Sequence, residues 1–327
     1  MSSSPPSAIN SRALASSNTG TAEQILFLGL VAVLIILPLT GLVYPFFLMQ
    51  ALCFALFACA FNLLIGFVGL LSFGHAMFLG FGAYVGAHAA KEWGLTPELA
   101  ILCGLLAAAA IGVPVGLLAI RRQGIYFAMT TLAMAQMVYF ICLQAPFTHG
   151  EDGIQAVPQG KLFGLINLSS QNALYYTVLA LFVIAFLFIH RIINSPFGDI
   201  LKAIRENEPR AISLGYKTDR YKLIAFILSA GLAGMAGAMK SIVAQNASLT
   251  DVHWTMSGEV VLMTLVGGLG TIFGPVLGAF TIVAMQQYLA QFGQWVTVIQ
   301  GVIFVACVLA FRRGIIGEIG HALKKSL

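Results

Sequence analysis

Ten apolar stretches, each near the length that carries a helix across a bilayer, leave this chain few ways to fold. They run at about 25–44, 47–66, 69–90, 99–120, 125–143, 173–193, 221–243, 256–271, 274–292 and 295–311, with 256–271 the shortest. A helix needs roughly 20 apolar residues to cross the hydrocarbon core. Lipid offers no hydrogen bonds, so only helices and closed barrels can span it. Strand-like alternation is missing, which leaves helices. Only 9% of the residues are charged and 59% are hydrophobic, whereas a soluble domain carries about 25% charged residues. The expected fold is all-α: a polytopic transmembrane helical bundle of about ten spans.

The basic residues orient this bundle. With the N-terminus inside, the loops at Arg121–Arg122 and 194–222 and the C-terminal end are cytoplasmic. That arrangement puts 14 of the 17 basic residues inside, six of them in the large loop (Lys202, Arg205, Arg210, Lys217, Arg220 and Lys222). Lys91 and Lys161 fall outside, and Lys240 lies near the outer end of a span. The opposite orientation would reverse the bias, so N-in, C-in is expected. Residues 1 to about 23 are rich in Ser, Pro, Asn and Thr and lack the order of a cleaved signal. They are expected to form a disordered cytoplasmic tail.

Asn194–Lys222 is the one charged island between spans. Its 29 residues hold 10 of the charged side chains in a chain with 17 basic and 12 acidic residues. Ile200, Leu201, Ile204, Ala211 and Leu214 recur at helical spacing, with most charges on other faces. Ser195-Pro196 suits a helix start. Pro209 restricts Asn207–Glu208 and splits the segment into two short helices. Gly215 stands where a C-cap is expected. Such internal order points to a docking surface for a soluble partner.

Two apolar segments are too rich in glycine and proline to be plain spans: Gly66–Gly86 and Gly267–Gly278. Gly82-xxx-Gly86, Gly112-xxx-Gly116 and Gly270-xxx-Gly274-xxx-Gly278 fit close helix packing in lipid. Gly267-Gly268 with Gly274-Pro275 should break a helix. Irregular backbone at membrane depth is tolerated only inside protein or along a wet cavity. A pair of broken segments, one in each five-span half, is the sequence pointer to a transport path and to two inverted repeats. The expected path residues are Ser72, Gly74, His75, Gly267, Gly268, Gly270, Thr271, Gly274 and Pro275, with Ser72, Thr271 and free backbone solvating a small polar ligand weakly.

Other chemistry is sparse. The sequence has no phosphate-cradling G-x-x-x-x-G-K-[ST] loop, no dinucleotide fingerprint after a strand and no catalytic constellation. Its five cysteines, Cys53, Cys59, Cys103, Cys142 and Cys307, lack metal-type spacing. His75 is the clearest ionisable group inside a span and reads as a packed, hydrogen-bonded histidine; Lys240 and Glu259 lie nearer the outer surface. An ion-driven carrier pairs several such groups, so a stand-alone secondary carrier is disfavoured. The energy source is expected in another chain that meets the charged loop.

Long ordered motifs carry a resemblance. Phe61–Tyr84 (FNLLIGFVGLLSFGHAMFLGFGAY), Gly124–Ala133 (GIYFAMTTLA), Ser195–Gly198 (SPFG), Ala203–Glu208 (AIRENE), Leu214-Gly215, Tyr221–Leu223 and Gly267–Pro275 (GGLGTIFGP) resemble the LivM-type permease subunits of branched-chain amino-acid ABC importers. The likeness runs from about residue 40 over nearly the whole chain. It implies a bacterial inner-membrane, multi-pass permease without its own ATPase site or cofactor. A second homologous permease, two ATP-binding subunits and a periplasmic binding protein would be its partners. Arg205, Glu206, Asn207, Pro209 and Gly215 would then belong to the segment that couples to an ATPase. The outer loop Thr148–Gly153 departs from the pattern at His149 and Glu151, where such proteins usually carry a second glycine and a Ser or Thr. Permeases for urea and short amides resemble the same family, so urea, short amides or other amino acids stand as the alternative ligands.

These readings divide the chain into a tail (1–23), a first transmembrane half (24–193), a coupling loop (194–222), further transmembrane helices (223–312) and a second tail (313–327).

Overall fold

The computed structural model describes residues 27–310 apart from 42 and 165, together with 314 and 316. The tails expected at 1–23 and 313–327 lie outside the described residues, save for Gly314 and Ile316. Every one of the ten apolar stretches contains a described helix. In order these are α1 (Phe27–Ile36), α2 (Pro45–Asn62, prolonged by a wide π turn over Leu63–Val68), α3 (His75–Lys91), α4 (Pro97–Ala119), α5 (Ile125–Gln144) and α6 (Gln171–Ile193). After the charged segment come α9 (Thr218–Ala244), the single turn α10 (Leu249–Val252), α11 (Trp254–Gly267), α12 (Gly274–Leu289) and α13 (Val296–Ala310). Among the described residues five helices are long and apolar enough to cross a membrane: α2 with its π turn, α4, α5, α6 and α9.

Burial sorts them. α2 is apolar all round, which suits a helix enclosed by others. Its apolar window is 94% buried and that of α9 is 78%, against 33% in α4 and α5 and 39% in α6. α2 and α9 therefore form the centre, and α4, α5 and α6 turn much of their surface outward. Small residues let the backbones of α3, α4 and α9 nearly touch. A Cβ on Gly82 would stand 2.4 Å from Gly234 Cα, and one on Gly104 would stand 2.7 Å from Gly82 O. The Gly82/Gly86 and Gly112/Gly116 pairs lie on these seams.

At the end away from the charged segment, the 144–172 connection is clipped to the turn after α9. β1 (Ile154–Gln155) pairs antiparallel with β4 (Asn246–Ala247), and β2 (Lys161–Leu162) folds back on β3 (Ile166–Asn167). Lys91 Nζ donates to Gln155 O at 2.9 Å, adding a tie to the end of α3.

The charged segment folds as two short helices, α7 (Pro196–Glu206) and α8 (Glu208–Ser213). Ser195 caps α7, its Oγ accepting from Gly198 N, and Pro196 occupies the first turn. Asn207 caps α8, its Oδ1 accepting from Arg210 N at 3.0 Å, with Pro209 in that first turn. At the other end Gly215 takes φ +90°. Gly215 N donates to Ile212 O, and Tyr216 N to Ala211 O, closing the last carbonyls as a Schellman turn. Leu201, Ile204 and Ala211 are buried as their spacing predicts. Leu214 differs: it is 70% exposed, because α8 has ended and the left-handed turn directs the chain away. Glu208 locks the segment to the bundle through Lys222 of α9 (2.5 Å) and Gln123 (3.0 Å).

Candidate functional site

Both expected breaks are present. The first runs from Gly69 to Gly74, between the π turn of α2 and the start of α3; the second runs from Gly268 to Phe273, between α11 and α12. Helix ends at such breaks leave backbone N–H and C=O groups unmatched, and burial makes each one costly. Where these groups find partners defines the site.

Asn62, in the last turn of α2, holds the second break. Its Nδ2 donates to Thr271 O at 2.8 Å, and its Oδ1 accepts from Gly270 N at 3.1 Å. One buried amide thus satisfies a donor and an acceptor of a loop 208 residues away. The loop approaches so closely that residue 66 must lack a side chain. A Cβ there would stand 2.3 Å from Asn62 Oδ1 and 2.8 Å from Gly270 N.

Arg205 closes the junction from the charged segment. Its guanidinium donates to Gly66 O, one of the carbonyls freed at the end of α2. A cation at a helix C-terminus also meets the negative end of the helix dipole. The Arg205 stem lies over Gly69, where a Cβ would be 2.9 Å from Arg205 Cγ, and its Nη1 is 3.1 Å from the Cβ position of Gly270. Gly270 itself has φ +74°, a backbone that L side chains rarely adopt. The charged segment, the end of α2 and the second break therefore meet at one point.

The second break is held by its own hydroxyl. Thr271 Oγ1 donates to Gly268 O at 2.8 Å and accepts from Gly274 N at 3.1 Å, tying off the start of α12. Pro275 follows in the first turn of α12, where no donor is lost. Gly267 packs against this turn: its Cβ would stand 1.9 Å from Gly274 O. Gly268, with φ +126°, ends α11. Gly270 lies in the loop, so only Gly274 and Gly278 of that expected glycine series sit on a helix.

The first break takes its partners elsewhere. Ser72 is buried and its Oγ accepts from Gly74 N at 3.2 Å. Phe73 N donates to Thr131 Oγ1 of α5, and Ala76 N to Ser257 Oγ of α11. Gly74 abuts α5, its Cβ position 2.4 Å from Thr131 O. His75 is fully buried, and its Nε2 lies 2.8 Å from Ser229 Oγ of α9. Ser229 in turn donates to Ala60 O at 2.5 Å, which makes Nε2 the donor to the serine. The edges of Phe61, Phe78 and Phe226 surround the ring. His75 thus pins α3 to α9 and, through Ser229, to α2.

The structure places the expected path residues in two groups. Gly267, Gly268, Gly270, Thr271, Gly274 and Pro275 lie in the second break, which meets Gly66 and Arg205 at Gly270, while Gly74 abuts α5, His75 binds α9 and Ser72 bonds back to Gly74. Glu206, Asn207, Pro209 and Gly215 stay with α7 and α8, and Glu206 is exposed. Asn62, Thr131, Ser229 and Ser257 were missed from the sequence. The one available signal was a small polar side chain within an apolar stretch, which in lipid needs a partner. Among the described residues no group of His, Cys, Asp and Glu is arranged to hold a metal ion.

Comparison with known proteins gives this arrangement a context. The family model described as "Branched-chain amino acid transport system / permease component" matches residues 44–309. The high-affinity branched-chain amino acid transport system permease protein LivM of Salmonella typhimurium is 29% identical over 279 residues, 78% of this chain. The chain spans 65% of the length of that relative. A probable LivM of Methanocaldococcus jannaschii is 25% identical over 58% of this chain and 56% of its own. The ribose import permease protein RbsC of Bacillus subtilis is 27% identical over 67% of this chain and 70% of its own. No solved structure matches.

Proposed function

We propose, because the chain belongs to the permease-component family of branched-chain amino acid transport systems, that it is the membrane-spanning permease subunit of an ATP-binding-cassette importer. In this reading it forms the path for leucine, isoleucine and valine released by a periplasmic binding protein. It sits in a bacterial inner membrane beside a second homologous permease and above two cytoplasmic ATP-binding subunits. ATP is hydrolysed in those subunits, and this chain moves.

The observation that carries the reading is the Arg205 contact. A charged surface segment that only connected two spans would have no reason to reach into the bundle. Here one side chain of α7 holds the end of α2 and abuts the second break. A displacement of α7 by a partner is therefore delivered to both broken segments at once. Ile212 (55% exposed), Leu214 (70%) and Tyr216 (40%) give that partner an apolar surface. The test is reconstitution. With ATP-binding and binding-protein subunits present, leucine uptake should need ATP and survive collapse of ion gradients, while the chain alone under an ion gradient should accumulate none. Ion-driven uptake by the chain alone would overturn the reading. The His149 and Glu151 departures support a wider ligand range, so urea, a short amide and ribose belong in the competition series.

The same reading gives ten spans, N-in and C-in, with spans 1–5 and 6–10 as inverted copies. The helix in every apolar stretch and the break in each half support it. A cysteine placed at Glu151, after removal of the native cysteines, is expected to react with an impermeant thiol reagent from outside. One placed at Glu206 should react only after the membrane is opened. Reaction of both from one side would refute ten spans.

A further inference from the structure

Away from the helix breaks, the bundle holds charge that the coupling junction does not use. Lys240, near the end of α9, forms an ion pair with Asp251 of α10, their side chains only 13% and 3% exposed. The Lys240 ammonium also lies over the Phe54 ring of α2, 5.4 Å from its centroid. Glu259 of α11, the helix that follows α10, accepts from Gln286 Nε2 of α12 at 3.0 Å. One turn along α3 from Gly80, whose Cβ position abuts Val252 of α10, the hydroxyl of Tyr84 is buried without a hydrogen-bond partner. α3 and α11, which both pack on α10, thus add an unmatched hydroxyl and a second carboxylate to a buried ion pair that joins α9, α10 and α2.

A plain structural pair explains this poorly. Removing two charges from water costs several kcal/mol per ion, and a well-packed apolar pair often holds helices equally well. A buried hydroxyl left unmatched adds to the cost. Both features suit a site that exchanges its internal partners for those of a ligand. An amino-acid zwitterion has the matching chemistry: one carboxylate, one ammonium and no net charge. Its insertion would replace one ion pair by two, Lys240 to the ligand carboxylate and Asp251 to the ligand ammonium. No net charge is carried into the apolar interior at any stage. Glu259 would supply a second acceptor for the ammonium, and Tyr84 a donor for the carboxylate.

We infer that Lys240, Asp251, Glu259 and Tyr84 form a transit site for the charged end of an α-amino acid, reached by exchange of the Lys240–Asp251 pair. The inference rests on the importer reading for its ligand class, since it assumes that an amino acid passes through this chain. It is tested without transport, by saturation-transfer NMR on the full chain in nanodiscs, a method that detects weak binding. The probes are L-leucine, 4-methylpentanoate (no amine) and 3-methylbutylamine (no carboxylate). Wild type should show leucine contact, with each single-ended analogue about tenfold weaker, or about 1.4 kcal/mol. Lys240→Met should lose leucine and the acid but keep the amine; Asp251→Asn should lose leucine and the amine but keep the acid. A Lys240→Met/Asp251→Leu double variant removes both members of the ion pair and leaves Glu259 its bond to Gln286, so it should fold and bind none of the three. Loss of all three probes together in a single variant, no effect of either variant, or no leucine contact in wild type would each overturn the site. ATP-driven leucine uptake by the assembled importer, measured separately, shows whether such a failure extends to the importer reading.

Discussion

A chain carrying Gly274→Leu is expected to yield little folded protein, because the start of α12 has no space for a side chain. Even a single Cβ there would stand 2.2 Å from Thr271 Oγ1, 2.7 Å from Gly268 O and 2.9 Å from Gly267 O. Two of those three atoms are backbone and the third ties off the helix, so none can swing aside as the end of a flexible chain would. Relief requires α11 and α12 to separate, and Gly278 on the same face already lies against Met263 O. Overpacking of this kind costs about 1–3 kcal/mol when neighbours can adjust, and values above about 4–5 kcal/mol are reached when they cannot. Monodisperse yield and thermal midpoint in detergent measure the effect, with Gly258→Leu as the control, since nothing lies within 4 Å of its Cβ position. The sequence predicts a different failure at 274, a filled transport path in a normally assembled protein. A Gly274→Leu chain with wild-type yield, wild-type midpoint and no transport would restore that version. Wild-type transport would remove the segment from the path.

That contrast shows what the residue pattern can and cannot carry. Helices announce themselves locally: apolar runs of spanning length, Ser195-Pro196 at a start, Gly215 at a stop, and glycine-proline pairs at a break. Each of these signals depends on residues within a few positions; the start, the stop and the breaks are met in the structure, and each apolar run holds a helix, five of them among the described residues long and apolar enough to cross a membrane. The junction depends on something else. Asn62 and Gly270 are 208 positions apart, and nothing near either names the other. Lys240 and Asp251 were separated for the same reason, one read as the end of a span and the other unremarked in a short loop. Leu214 continues the helical spacing of Ile200, Leu201, Ile204 and Ala211 yet is exposed, because α8 ends one residue before it. Burying Ser72 and engaging the Thr271 hydroxyl are likewise outcomes of packing. Their side chains serve the breaks themselves.

Charge reversal at Arg205 is expected to separate ATP hydrolysis from uptake. Arg205→Glu removes the donor to Gly66 O and sets a carboxylate against the negative end of α2. Hydrogen bonds to charged groups contribute about 1.5–3 kcal/mol, equivalent to roughly a tenfold to hundredfold change in an equilibrium. Leucine uptake by the assembled importer should fall by at least about tenfold on that scale. The protein should still insert and fold, since Arg205 is exposed on one side and α7 is held by Ser195, Leu201 and Ile204 independently. Glu208, with its ties to Lys222 and Gln123, keeps α8 in place as well. The ATP-binding subunits should therefore co-purify and hydrolyse ATP at near the wild-type rate. Arg205→Lys retains the charge but loses the guanidinium Nη1 that bonds Gly66 O beside Gly270, so its uptake should fall between wild type and Arg205→Glu. An Arg205→Glu, Glu206→Arg double variant keeps the net charge of the segment while still breaking the contact, and it should remain defective. Loss of co-purification would make Arg205 a docking residue for the ATPase instead of the strut between α7 and the breaks. Wild-type uptake by the double variant would mean that the segment is only a solvated loop.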